Sequence, residues 1–213
     1  MTTATLLAFA LTATLLILAP GPDSLLVMRN TLRGGRRAGW ATTCGTMSGL
    51  GVWAVAAALG LSALLRVSHA GYDALRLVGA GYLIWLGVSS LRPSRRRAAH
   101  AGLPQEEEIA AGSRQGGRMY LNGLLCDLCN PKIGVFFVAF LPGFIPVRGS
   151  ATAFSLALGL WFIVETGVWL AVLSWMVAGG VGWLRSSSAQ RWLERATGVV
   201  LIGFGLRLAV SAR

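Results

Sequence analysis

Two short clusters of helix-breaking residues interrupt apolar stretches long enough to cross a bilayer: Ala19-Pro20-Gly21-Pro22-Asp23 and Asp127-Leu128-Cys129-Asn130-Pro131-Lys132. Hydrocarbon offers no water to freed backbone groups. A broken helix therefore persists there only inside protein or beside an aqueous cavity. The clusters fall at corresponding places in the two halves of the chain, and both carry charge. Two such breaks are the sequence pointer to a secondary transporter with its site between discontinuous helices.

Composition agrees with a membrane setting. Of the 213 residues 54% are hydrophobic and 13% charged, against about 25% charged in a soluble domain. The formal charge of +11 does not point to nucleic acid, because the arginines sit in short clusters between apolar runs. That placement suits anionic lipid headgroups and sets orientation.

A spanning helix needs about 20 mainly apolar residues. The pattern predicts an all-α integral membrane protein with six transmembrane helices, over 4–27, 40–65, 71–91, 119–145, 150–182 and 194–211. The first run has no basic residue ahead of it and reads as a mature span, not a signal peptide. Trp40, Trp85, Trp183 and Trp192 fall near helix ends, where indoles favour the interface. Trp53, Trp161, Trp169 and Trp175 lie deeper, as packing residues.

The loops after helices one, three and five hold Arg29, Arg33, Arg36, Arg37, Arg92, Arg95, Arg96, Arg97, Arg114, Arg118, Arg185, Arg191 and Arg195. The other side holds only Arg66, Arg76, Arg148, Arg207 and Arg213. The positive-inside rule then predicts both termini extracytoplasmic. Helices one and four start on opposite sides, which predicts an inverted three-plus-three repeat with helices 1 and 4 broken. The repeats are 1–91 and 118–213, joined by a cytoplasmic linker over 92–117 that reads as a solvated tether. Gly45-x-x-x-Gly49, Gly79, Gly81, Gly87, Gly198, Gly203 and Gly205 allow close helix contact, internally or at a homodimer face.

Four ionisable residues fall inside predicted spans: Asp23, Asp127, Lys132 and Glu165. Each costs about 2.5–3.5 kcal/mol at a helix centre unless it pairs, protonates or meets water. Asp23 starts the resumed half of helix one, as a cap or as part of a site. Asn130 is placed to cap the half-helix that begins at Pro131, and its amide can reach a polar ligand. Lys132 is too deep to snorkel, which predicts an ion pair with Asp23 or Asp127. Glu165 is either a proton carrier or a neutral hydrogen-bonding group. Substrate contact is thus expected at Pro20, Gly21, Pro22, Asp23, Asn130, Pro131 and Lys132, and proton coupling at Asp23, Asp127 and Glu165. Three acids facing one base favour a zwitterionic or cationic substrate with protons as partner.

Several spaced motifs in order resemble the LysE/RhtB family of amino-acid exporters. They are Pro20-Gly21-Pro22-Asp23, Gly79-Ala80-Gly81-Tyr82-Leu83-Ile84-Trp85-Leu86-Gly87, Asn130-Pro131-Lys132 with Phe136-Phe137-Val138-Ala139-Phe140-Leu141-Pro142, and the closing Gly198-Val199-Val200-Leu201-Ile202-Gly203-Phe204-Gly205-Leu206-Arg207-Leu208. The resemblance spans about residues 5 to 210, apart from the linker. It implies a bacterial inner-membrane exporter of amino acids or close derivatives, driven by the proton gradient, with no cofactor and no enzymatic step. An acid near Glu165 is usual in that family, whereas Cys126 and Cys129 around Asp127 depart from its pattern.

Two other classes compete. Cys126-x-x-Cys129 invites a membrane thiol–disulfide reductant carrier, but Asp127 between the two opposes thiolate formation and helix one has no matching cysteine. A metal-ion efflux permease would need clustered oxygens, and Lys132 opposes it. His69 and His100 lie in separate loops and make no metal site.

Overall fold

The computed structural model describes residues 3–19, 21–67, 69–91, 114–146, 149–180 and 187–210. Pro20 and most of the expected linker lie outside them, as do Trp183 and His100. Each apolar run becomes helix, the form in which a segment satisfies its own backbone. The elements are α1 (Thr3–Leu18), α2 (Pro22–Val67), α3 (His69–Leu91), α4 (Arg114–Leu128), α5 (Pro131–Val135), α6 (Ala151–Ala178) and α7 (Ser187–Val210). A π turn (Phe136–Phe140) and a 3-10 turn (Leu141–Phe144) follow α5. Among the described residues there is no strand.

Both expected breaks are present. α1 ends at Leu18 and α2 begins on Pro22, whose missing N–H is not needed at a helix start. The second break uses the same device. α4 ends at Leu128, α5 begins on Pro131, and the Asn130 side chain caps it by accepting from the Lys132 N–H at 3.1 Å. The chain bends by 49° between Gly116–Leu128 and Pro131–Phe144.

Two stretches depart from the expected pattern. The loop expected between helices one and two, with Arg29, Arg33, Arg36 and Arg37, is helical. α2 runs through it and kinks at Gly35, with φ 69° and ψ −167°, a left-handed angle that glycine adopts without a Cβ clash. Asn30 Nδ2 donates to Thr42 Oγ1 across the kink at 2.9 Å, which ties the two segments together. Arg33, Arg36 and Arg37 are exposed, so charge does not oppose the helix there. The other departure follows α5, where regular helix gives way to the wider and then tighter turns. Pro142 lacks an N–H and crowds the carbonyl one turn earlier. These turns gather Phe136, Phe140 and Phe144 against Phe162, Phe204 and Phe9, with ring centroids 4.1, 5.2 and 5.3 Å apart in the pairs Phe136–Phe162, Phe140–Phe204 and Phe9–Phe144. This aromatic cluster is the core, directly beneath the second break.

α2 from Pro22 to Gly60 and α6 are each long and apolar enough to cross a membrane, and the bent pair around Asn130 makes a third candidate. α1, at 16 residues, rises about 24 Å, short of a core about 30 Å thick. The break at Ala19–Gly21 is what shortens it. Leu7, Leu11, Leu15 and Leu18 form an exposed apolar row along α1, a surface suited to lipid.

Small residues draw the helices together. A Cβ on Gly49 would stand 2.6 Å from Asp127 Oδ2, and one on Gly45 or Gly123 would collide with the Tyr120 or Thr42 carbonyl of the facing helix. Gly87 and Gly198 meet across α3 and α7, where each Cβ would fall within 2.8 Å of the other's carbonyl. These glycines serve contact within the chain. Gly81 and Gly203 face open space. Trp40, Trp85 and Trp192 are exposed as expected, but Trp161 and Trp175, expected between helices, are 46% and 64% exposed.

Candidate functional site

The two breaks lie against each other. Asn130 Nδ2 donates to Asp23 Oδ2 at 2.5 Å, joining residues 107 positions apart in sequence. Lys132 Nζ donates to the carbonyls of Leu16 at 2.6 Å and Ala19 at 2.7 Å. Those carbonyls belong to the end of α1, where the last turn leaves acceptors unpaired and the helix dipole is negative. A cation at this place satisfies both.

The expected pairing with Asp23 is present as an attraction across the cavity and not as a direct contact. The ammonium donates to two carbonyl oxygens, while Asp23 Oδ1 and both Asp127 oxygens have no hydrogen-bond partner. The physical reason is the truncated α1, whose carbonyls accept in the direction a carboxylate would otherwise fill. Asp23 sits in the first turn of α2, at the positive dipole end, and its side chain accepts from Asn130.

A narrow cavity opens between these groups. α1 supplies Leu16 and Ile17, the first break Gly21, and α2 Asp23 and Ser24. Lys132 and Ile133 of α5 and Phe162, Thr166, Trp169 and Leu170 of α6 complete it. Its volume is about 20 Å³, room for one or two waters and too little for an amino acid. Gly21 lies at its wall, where a Cβ would be 3.6 Å from Lys132 Nζ. The lining holds one acid and one base, so it matches a zwitterion in charge.

The four intramembrane charges thus separate. Asp23 and Lys132 share the cavity, whereas Asp127 and Glu165 do not line it. Asp127 is fully buried, packed against Gly49 of α2, and its backbone carbonyl accepts from Trp53 Nε1 at 3.4 Å. Glu165 is half-buried and has two partners: its Oε1 lies against the Thr14 hydroxyl of α1, and its Oε2 accepts from Trp161 Nε1 at 3.1 Å. The expected grouping of three acids around one base is reduced to one acid in the cavity lining, because the three stand on different helices, α2, α4 and α6. Of the seven expected substrate residues, Gly21, Asp23 and Lys132 line the cavity and Asn130 supports it. Pro22 and Pro131 start the half-helices, and Pro20 is outside the described residues.

Sequence reasoning missed Thr166 and Trp169. Thr166 Oγ1 and Trp169 Nε1 are buried without partners, on one face of α6 because their positions are three apart. The cysteines make no disulfide. Cys44, Cys126 and Cys129 are free, with Cys129 exposed beyond the end of α4 and Cys126 partly buried within it.

These features, paired broken helices around a charged intramembrane cavity, define a translocator-type membrane protein. The model of the LysE type translocator family matches residues 14–212, and the chain belongs to that family of transporters. It is 31% identical over 206 residues to the homoserine/homoserine lactone efflux protein of Salmonella typhimurium, covering 97% of this chain and 96% of that one. It is 30% identical over 196 residues to the threonine efflux protein of Escherichia coli, covering 92% of each. An uncharacterised membrane protein of Bacillus subtilis is 30% identical over 207 residues, covering 97% of this chain and 99% of that one. No solved structure matches the chain.

Proposed function

We propose that this protein exports amino acids or close derivatives across the bacterial inner membrane by alternating access, coupled to protons. The observation that carries this reading is the locked pair of breaks: Asn130 on Asp23, and Lys132 on the last carbonyls of α1, around one small cavity. Relatives named for homoserine and threonine efflux support the substrate class. The α-ammonium is taken by Asp23 and the α-carboxylate by Lys132. Each contact competes with a bond that holds the breaks together, so substrate binding loosens one half against the other.

In this reading the chain is an inverted repeat of three plus three spans, 1–91 and 118–213, with 92–117 as a cytoplasmic linker and both termini outside. Asp23, Asp127 and Glu165 are the proton-coupling acids. Asp127 is buried with neither oxygen bonded, an arrangement whose cost a bound proton lowers. Thr14 offers one hydroxyl proton between two oxygens, Ala10 O at 2.9 Å and Glu165 Oε1. A proton on Glu165 would let both contacts be hydrogen bonds.

The test is export from cells overexpressing the chain and loaded with dipeptides, with and without an uncoupler. External accumulation of one or a few amino acids, lost with the uncoupler and with Lys132→Ala in an inserted protein, is the expected result. Unchanged external amino acids would refute it. A reporter fused after Arg97 is expected to register as cytoplasmic.

A further inference from the structure

Three polar atoms around the cavity are buried and unpartnered: Asp23 Oδ1, Thr166 Oγ1 and Trp169 Nε1. Thr166 and Asp23 are each 8% exposed. A native interior pairs nearly all such atoms, so three of them around a single cavity mark it as a place for a polar occupant. The inference rests on the amino-acid reading above, which assigns the ligand's ammonium to Asp23 and its carboxylate to Lys132. That leaves the α6 pair, a hydroxyl and an indole N–H, with nothing to bond.

We infer that Thr166 and Trp169 form the subsite for the substrate's side chain and select short amino acids that carry a side-chain hydroxyl. A hydroxyl is both donor and acceptor. It accepts from the Trp169 N–H and bonds the Thr166 hydroxyl in either sense. A methyl group in its place leaves both protein groups unpaired, and sites built around a substrate hydroxyl reject the analogue lacking it far more strongly than apolar sites sort by size. A carboxylate side chain would bring a second negative charge with one base in the lining. An ammonium would place a second cation beside the indole N–H. Phe162, Ile133 and Leu170 wall the remaining space, which confines the side chain to a few atoms.

Threonine and valine are the decisive probes, because they differ by a hydroxyl for a methyl at equal shape. The full-length protein is reconstituted in proteoliposomes, and uptake of labelled threonine and valine is measured for wild type, Thr166→Val, Thr166→Ser, Trp169→Phe and Asp23→Asn. The expected result is a wild-type preference for threonine of about tenfold or more. In Thr166→Val the preference falls to within about threefold through a rise in the threonine KM, and Trp169→Phe lowers it to a lesser degree. Thr166→Ser keeps the hydroxyl and retains the preference, which separates hydrogen bonding from a folding defect. Equal wild-type uptake of the two, or a preference that survives Thr166→Val while Asp23→Asn abolishes both, overturns the subsite and leaves the transport site standing. Uptake unchanged in Asp23→Asn, or no uptake of either amino acid, overturns the transport site and the subsite with it.

Discussion

The two breaks look alike in sequence and do opposite things in the fold. The first, at residues 19–23, presents acceptors: the carbonyls of Leu16 and Ala19 and the carboxylate of Asp23. The second, at residues 129–132, presents donors: the amide of Asn130 and the ammonium of Lys132. Neither break satisfies itself. The second also has a side-chain cap, the Asn130 oxygen on the Lys132 N–H. The difference teaches that a repeat placing the same helix breaker in both halves still needs unlike side chains, so that each half completes the other. It also explains why a cavity survives in an apolar interior. The freed backbone groups are bonded across it, and its lining carries charge of both signs.

Substitutions that remove a donor should break this complementarity most. Lys132→Ala leaves the Leu16 and Ala19 carbonyls facing hydrocarbon without a cation. It is expected to abolish transport, by about a hundredfold or more, and to lower the thermal midpoint in detergent, since stranding buried partners costs several kcal/mol. Asp23→Asn keeps the shape but removes the negative charge, and transport is expected to fall about tenfold to a hundredfold with a smaller loss of thermal stability. Asn130→Ala removes the cap and the bond to Asp23 together, a loss of about 1–2 kcal/mol to be read as a lower thermal midpoint. The smallest effect is expected at Cys126→Ser: the Cys126 thiol lies beside the Asp23 carboxylate, serine keeps a donor of similar size there, and transport rate should stay within about twofold of wild type.

Much of this site was legible in the sequence, for local reasons. Proline, glycine and asparagine act on their own backbone, so both breaks and the Asn130 cap could be read without tertiary information. A charge inside an apolar run is conspicuous in itself, which singled out Asp23, Asp127, Lys132 and Glu165. What stayed hidden was pairing. Thr14 meets Glu165 across 151 positions, and no local pattern encodes that. α6 is apolar nearly all round, so periodicity could not say that Thr166 and Trp169 face the cavity while Glu165 turns to α1. The arginine cluster read as a loop because charge usually ends a span. Its helix persists because the side chains are exposed and Gly35 absorbs the bend.

The account's central claim is that each break completes the other, and a double-mutant cycle between Asp23 and Asn130 tests it most directly. Transport of the reconstituted protein is measured for Asp23→Asn, Asn130→Ala and the pair. If the two act as one unit, the double variant is no worse than the more damaged single one, with a coupling of about 1 kcal/mol or more. Losses that simply multiply would mean that the two residues act independently, and would contradict the account.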